Sequence, residues 1–347
     1  MNDDNLRVDY SSIEKSLADL WRNEPREGEK AVTRAALWNV VAHTWEADHH
    51  ALATETLSRA SESVPQRAII IHSTPEGESG MSSWISANCH LLGKEKQVCS
   101  EEIKIVAGGD RIHHVPPLVS ALLIPDMPVA VWWLGDLPSE HEDYVEALLQ
   151  PADRLIVDSS HFDQPSDLAL VARIAEQTTT APADLNWVRL EEWRAALASL
   201  FDPPRMRERM RAIRSVRIAG AGGSFGRTAE ALLFAAWISA QLGHHVDADG
   251  SVEHGEIVYD LTQEESPRGM QSVELRFTDD SVATISRDRD RGVLITSVDG
   301  THHTFECVTR VLAHGRDDLI VRQLKRPEAD RVYVKALPIA TRLARRA

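Results

Sequence analysis

Six consecutive apolar residues, Val129-Ala130-Val131-Trp132-Trp133-Leu134, stand between Pro128 and Gly135. A β-branched and aromatic run of that length, bounded by turn residues, is a strand without a polar face, and such a strand has to be covered on both sides. Stretches of helical spacing near 116–123, 140–149 and 166–177 alternate with it and with a second strand, Arg154-Leu155-Ile156-Val157-Asp158. Strands that alternate with helices build a sheet with a parallel centre. Residues 1–180 are therefore expected to form an α/β domain with a mixed, largely parallel sheet.

Upstream, Pro65 to His72 reads as another buried strand, and Ser83–Leu92 with Gln97–Val106 as a hairpin turning at Gly93-Lys94-Glu95-Lys96. Ser11-x-x-Glu14, followed by Leu17, Leu20 and Trp21, predicts a capping box and a helix ended by Pro25. A second helical pattern is expected from about Thr33 to Ser63, interrupted near Asp48-His49-His50. Thr178 to Pro182 breaks the periodicity and marks a boundary. Beyond it come helices near 190–201 and 203–212, strand Val216–Ala219, a glycine loop and a long helix from about Arg227 to Leu242. Alternating stretches at 257–261, 273–277, 282–285, 293–298 and 303–308 then read as an antiparallel meander, so 181–347 is expected to be an α+β domain.

The 347 residues suffice for about two domains. With 38 Lys and Arg against 53 Asp and Glu, the net charge of −15 argues against a partner held through phosphates, so no nucleic acid is expected. The apolar stretch 115–134 is broken by Pro116, Pro117, Pro125, Asp126 and Pro128, and no membrane span is expected. The start, Met1-Asn2-Asp3-Asp4, is unlike a signal peptide, and three cysteines do not make a disulfide framework. These features predict a soluble, cytoplasmic protein; they set no oligomeric state.

Gly220-x-Gly222-x-x-x-Gly226 follows a strand, opens a helix and has Asp247 21 residues beyond its last glycine. Those are the positions at which a dinucleotide site holds pyrophosphate and ribose. The spacing is one residue longer than the common fingerprint, and a meander follows it. The loop reads either as a plain strand-to-helix connection able to take an anion, or as the site of a nucleotide- or sugar-phosphate-binding enzyme. Cys89 and Cys99 fall opposite one another in a hairpin centred on residue 94, with Cβ atoms about 4.5–5.5 Å apart. They are two buried thiols, a redox pair, or a metal site with His90. The paired histidines, His49-His50, His113-His114, His244-His245 and His302-His303, cannot chelate as pairs, because adjacent side chains diverge on strand and helix alike. No HExxH, GxSxG or P-loop pattern occurs, and no catalytic residue, cofactor or metal is expected. Trp132 and Trp133 point to opposite faces of their strand. Either both lie beneath helices, or one reaches a surface where it anchors a partner.

Several blocks together resemble the glucose-6-phosphate dehydrogenase assembly proteins known as OpcA. They are Thr33-Arg34-Ala35 with Trp38-Asn39-Val40-Val41, Pro65-Gln66-Arg67-Ala68-Ile69-Ile70, Cys89, and Val98-Cys99-Ser100-Glu101-Glu102-Ile103. Val115-Pro116, Leu123-Ile124-Pro125-Asp126-Met127-Pro128 running into Trp132-Trp133, Ala152-Asp153-Arg154 through Asp158-Ser159, and the helix-like Ala229 to Gly243 complete the set. The resemblance implies a non-enzymatic partner that binds glucose-6-phosphate dehydrogenase and raises its activity, with no cofactor of its own. Pro125, Asp126, Pro128, Trp132 and Trp133 are the expected partner contact. The family is associated with thioredoxin-linked control in photosynthetic relatives; the resemblance does not itself carry that control over to Cys89 and Cys99, which remain a candidate redox pair. An acidic chain of this kind meets its partner on a neutral or basic face, or through an apolar, aromatic contact.

Overall fold

The computed structural model describes residues 6–23, 31–92, 96–137, 141–221, 225–243, 245–246, 252–253, 258–264, 269–299, 305–326 and 328–345. The chain gathers into two units. The first takes Met1–Val157, Thr179–Ala183 and Gly315–Glu328; the second takes Asp158–Thr178, Asp184–His314 and Ala329–Ala347.

Strands β1 (Leu6–Val8), β2 (Ala31–Arg34), β3 (Trp38–Thr44), β4 (Gln66–Thr74), β5 (Gly80–Leu92), β6 (Lys96–Gly108), β7 (Val129–Leu134), β8 (Arg154–Val157) and β9 (Ala181–Asp184) make a nine-stranded sheet. Its order is β1-β5-β6-β4-β3-β7-β8-β9, with β2 beside β6. The pairs β6/β4, β4/β3, β3/β7 and β7/β8 are parallel, while β5 and β1 extend the β6 side antiparallel. Counted from β3, the run β6-β4-β3-β7-β8-β9 has the 3-2-1-4-5-6 order of a doubly wound sheet. The mixed, largely parallel sheet is as expected.

The strand at its centre is not. Residues 38–44 fall in the stretch expected to be helical, and they form β3, buried at every position after Trp38. A strand covered on both faces has no alternation, and a short apolar run carries no period that separates strand from helix. The helix begins only at α2 (Ala47–Ala60). The capping box also fails. Asp9 accepts from Ser11 N at 2.9 Å and caps the turn leading into α1 (Ile13–Asn23), and Glu14 is drawn to Arg67 instead.

Helices α3 (Val115–Leu122) and α4 (Glu142–Leu149) complete the layers next to β7. Every residue of β7 is buried, Trp132 and Trp133 to 1% and 0% exposure, which is the environment its composition demands.

In the second unit, α5 (Pro165–Gln177), α6 (Leu185–Arg189), α7 (Glu191–Leu200) and α8 (Pro204–Arg209) precede β10 (Ile213–Ala221) and α9 (Phe225–Leu242). Short strands β11 (His245–Val246) and β12 (Val252–Glu253) pair with each other. The six-stranded sheet, with β13 (Val258–Glu264), β14 (Ser272–Phe277), β15 (Val282–Asp288), β16 (Val293–Asp299) and β17 (Phe305–Arg310), runs β13-β10-β14-β15-β16-β17. The antiparallel meander is β14 to β17. β13, expected within it, lies on the far side of β10 and parallel to it, the pairing that a crossover through α9 produces. After α10 (Arg316–Lys325), which belongs to the first unit, α11 (Arg331–Ala344) packs on α9 and α5.

A buried ionic cluster holds the start of the second unit. Arg189 donates to both oxygens of Asp158 at 2.7 and 2.8 Å, and Asp184 accepts from Ser159 N and Asn186 N at 3.1 and 2.9 Å. Burial alone raises Asp158, but the bonds and charges of Arg189 and His161 outweigh it and hold the group well below its ordinary range. Burial, and then the charge of Asp158, pushes Asp184 up to about 6. A carboxyl raised in this way takes its proton in the folded chain before it does so unfolded. Its stabilising contribution is therefore present near its unfolded value, about 4, and is lost as pH rises through about 6. Asp184→Asn is expected to flatten that part of the stability profile in urea midpoints taken across the window; an unchanged slope would count against the assignment.

Candidate functional site

In a doubly wound sheet, ligands bind outside the carboxyl ends of the strands, where the strand order reverses. Here that place lies between the ends of β3 and β7. The connection from β3 into α2 is Thr44-Trp45-Glu46-Ala47-Asp48-His49-His50, without a glycine. A dinucleotide loop needs glycines so that backbone N–H groups can approach the pyrophosphate, and an uncharged helix start to receive it. This helix start carries Glu46 at its cap and Asp48 in its first turn, which suit the positive helix end themselves and repel a phosphate.

The two lips of the crevice lie close together. Gly135, just past β7, sits at φ +82°, and a Cβ placed on it would lie 3.3 Å from Glu46 Oε1 and 3.6 Å from His49 Nδ1. At the end of β3 the rings pack in tilted and edge-on pairs: His43 lies 4.2 Å from Trp133, 4.6 Å from Trp45 and 5.2 Å from Tyr144, centroid to centroid. His43 Nε2 bonds Ser73 Oγ at 3.2 Å, and Ser73 Oγ bonds Tyr144 OH at 3.0 Å. His43 Nδ1, Trp45 Nε1 and His50 Nε2 are buried with no hydrogen-bond partner among the described residues.

Burial, with His72 nearby, pushes His43 down to about 3; burial, His72 and Lys104 push His50 down to about 4. A base lowered in this way binds fewer protons folded than unfolded, so stability falls as pH drops below the free-imidazole value near 6.5. Between pH 6.5 and 5 the loss is on the order of 2 kcal/mol for the fully buried His43, and solvent screening makes it smaller for the partly exposed His50. His43→Phe is expected to shrink that acid slope, measured as urea midpoint against pH; a slope unchanged from wild type would refute it.

The opposite end of the same sheet carries the blocks that resemble OpcA. Arg67, at the start of β4, donates from Nε to Glu101 Oε2 at 2.7 Å and from Nη1 to Glu14 Oε1 and Leu122 O, both at 2.6 Å. Arg67 and Glu101 are each 3% exposed. Glu101 Oε1 also accepts from Trp21 Nε1 at 2.6 Å and lies 2.8 Å from Arg34 Nη2. Beside this cluster the side chain of Asn39 clamps the loop before β7. Its Nδ2 donates to Ile124 O at 3.0 Å, and its Oδ1 accepts from Ile124 N at 2.8 Å. Asp126, at φ +61°, turns the loop, and Val129 N donates to Asp153 Oδ2 at 2.8 Å where β7 begins. Arg34, Ala35, Ala36, Glu101, Ile124 and Met127 line an open cavity of about 440 Å³.

Of the expected contact residues, Pro125 and Asp126 are exposed and Pro128 is half-buried, all beside this cavity. Trp132 and Trp133 are not surface anchors. Both are inside the sheet, and Trp133 Nε1 is already satisfied by Asp136 O at 2.8 Å. Cys89 pairs in register with Cys99 as the hairpin spacing predicts, and the structure joins them in a disulfide with Cα atoms 4.0 Å apart. Cys99 O accepts from Ala35 N at 3.1 Å. Gly220 closes β10, where a Cβ would meet Ala231 Cβ at an ordinary 3.7 Å, and Gly226 lies in the first turn of α9. Gly222, Asp247, His244 and the pair His302-His303 lie outside the described residues.

The Arg34–Glu101–Arg67 cluster carried no role in the sequence reading. Its signal was a charge inside an apolar strand, since Arg67 leads into Ile69-Ile70-Ile71 and Glu101-Glu102 into Ile103; a buried charge needs a partner.

Among the described residues no helix is long and apolar enough to cross a membrane. The chain is 13% identical to KijD10, a 3-ketoreductase from Actinomadura kijaniata solved with TDP-benzene and NADP, at a TM-score of 0.50 over 90% of this chain and 97% of that one. That likeness shows a shared fold alone. It is 32% identical over 181 residues to a Synechocystis protein carried under the provisional name OxPP cycle protein OpcA, covering 51% of this chain and 37% of the relative. A Synechococcus elongatus protein of the same provisional name is 29% identical over 223 residues, 64% of this chain and 46% of the relative. The matches thus span less than half the length of these relatives. Residues 57–173 match the family described as the glucose-6-phosphate dehydrogenase subunit N-terminal domain and residues 180–337 its C-terminal domain, and on those two matches the chain belongs to the OpcA family.

Proposed function

We propose that this chain is a non-catalytic, cytoplasmic partner of glucose-6-phosphate dehydrogenase that raises the activity of that enzyme. The observation that carries the reading is the glycine-free, acidic loop after β3, whose Glu46 and His49 come close to Gly135. The place at which a doubly wound sheet would take a nucleotide carries Glu46 and Asp48 instead, which disfavour a phosphate. The descriptions of the two family matches, which name a glucose-6-phosphate dehydrogenase subunit, supply the partner. Activation requires that the chain bind the active form of the dehydrogenase better than the inactive form. A coupling of about 1–3 kcal/mol changes affinity or population by roughly 5- to 150-fold.

The experiment is a dehydrogenase assay with and without the purified chain, alongside co-purification of the two. A stable complex and a raised kcat/KM are expected. Neither a complex nor a kinetic effect sinks the reading. A thermal-shift panel of NAD, NADP, ATP and glucose 6-phosphate separates it from an enzyme built on the Gly220 to Gly226 loop. A ligand at a hundred times its Kd stabilises by about 2.7 kcal/mol, and a flat panel is expected.

A further inference from the structure

The geometry points to the cavity between Arg34 and Met127 as a docking pocket for an acidic, apolar segment of the partner: an apolar side chain seated on Ala35, Ala36, Ile124 and Met127, with a neighbouring carboxylate on Arg34. The inference rests on the partner-binding reading above and names the chemistry of the partner's segment.

The apolar half follows from what lines the cavity and its rim. Four of the six lining residues are apolar, and Met127 and Leu37, next in sequence to Ala36, are 37% and 57% exposed, so large apolar side chains face water here without a cover among the described residues. A volume of about 440 Å³ admits one or two side chains of a docked segment.

The charged half follows from how the ions are shared. Arg67 and Glu101 neutralise one another in the interior, and Glu14 faces Arg67 from the outside. Arg34 adds a second guanidinium to the Glu101 carboxylate, keeps 47% of its side chain exposed and stands 5.8 Å from the Trp21 ring. A guanidinium has five N–H donors in a planar fork suited to a carboxylate. Its placement over Trp21 and its tie to Glu101 hold it in one position, which lowers the entropy lost on binding. In a chain with a net charge of −15, the cavity mouth is marked by a cation, so the segment it selects is acidic. Asp126, exposed on the loop that bears Met127, makes that choice directional, because it disfavours a carboxylate on its own lip.

The test has two arms on the full chain, labelled at methionine and alanine methyl groups for NMR. In the first arm the probes are 4-phenylbutyrate and 4-phenylbutylamine. The acid is expected to shift the Met127, Ala35 and Ala36 methyl signals saturably and to bind about fivefold tighter than the amine, with Arg34→Gln abolishing the preference. Methyl signals that do not move, or a preference that survives Arg34→Gln, overturn the pocket. In the second arm, Arg34→Gln and Ala36→Trp, the latter filling the cavity without touching the charge, are expected to weaken binding to glucose-6-phosphate dehydrogenase tenfold or more, measured at a temperature where circular dichroism shows each variant fully folded. Wild-type binding that both variants retain also overturns the pocket while leaving the proposed function standing. If wild type does not bind the dehydrogenase, the proposed function fails, and the first arm still decides the pocket.

Discussion

Arg67→Ala is expected to lower the stability of the protein by about 3–5 kcal/mol, seen as a large drop in urea midpoint. The size follows from what the truncation strands. Glu101 is 3% exposed and loses the guanidinium that meets its Oε2 at 2.7 Å, so a carboxylate is left charged inside β6 with Arg34 and the Trp21 indole N–H on its other oxygen. Leu122 O loses its donor in the same step. Removing both ions is a different experiment. Arg67→Leu with Glu101→Leu replaces a desolvated pair by apolar side chains, and such exchanges are often neutral or stabilising. The double variant is therefore expected to recover most of the loss. If it is as unstable as Arg67→Ala, the cost came from the bond to Leu122 O and the packing around it. The double variant also frees Arg34 from Glu101, so it separates the stability of the strands from the charge at the cavity mouth.

Trp133→Ala is expected to cost a similar amount, about 3–5 kcal/mol, by emptying the position against which His43 and Trp45 stack. The variant is expected to bind the dehydrogenase normally at temperatures where it remains folded. A surface anchor behaves in the opposite way, losing affinity with little loss of stability. Calorimetry and a binding titration on the same sample distinguish the two, and weakened binding by a fully folded variant would return Trp133 to the interface.

How much of this was legible depends on the range over which each feature is written. β7 and β4 announce themselves, since apolar runs beside Pro and Gly have few other homes. The Cys89–Cys99 register follows from counting to the turn. β3 escaped because it is buried on both faces and so has no alternation, although it is the central strand of the first sheet. β13 escaped because parallel pairing with β10 is set by the crossover through α9, and its own seven residues look like any strand of the meander. The site was visible in composition but not in place. Arg34, Arg67, Glu101 and Met127 lie in four separate stretches, and only the sheet order brings them to one edge. The narrow crevice was unreadable for the same reason. A glycine-free loop after β3 is a local fact, but its approach to Gly135 needs β3 and β7 to be neighbours.

Arg154 gives the protein a schedule. Its guanidinium, in β8, donates from Nη1 to Gln323 O at 3.0 Å and from Nη2 to Arg326 O at 2.8 Å and Glu328 O at 3.0 Å, carbonyls that lie about 170 positions further along the chain. A ribosome delivers every strand of the first sheet before any of those acceptors exists. Until residues 315–328 emerge, the growing sheet holds a cation with nowhere dry to put it, and the face of α2 that receives α10 stays open. The first unit is thus the earlier to begin and cannot be the earlier to finish, and a fragment cut between β9 and α10 would present chaperones and proteases with an interrupted fold.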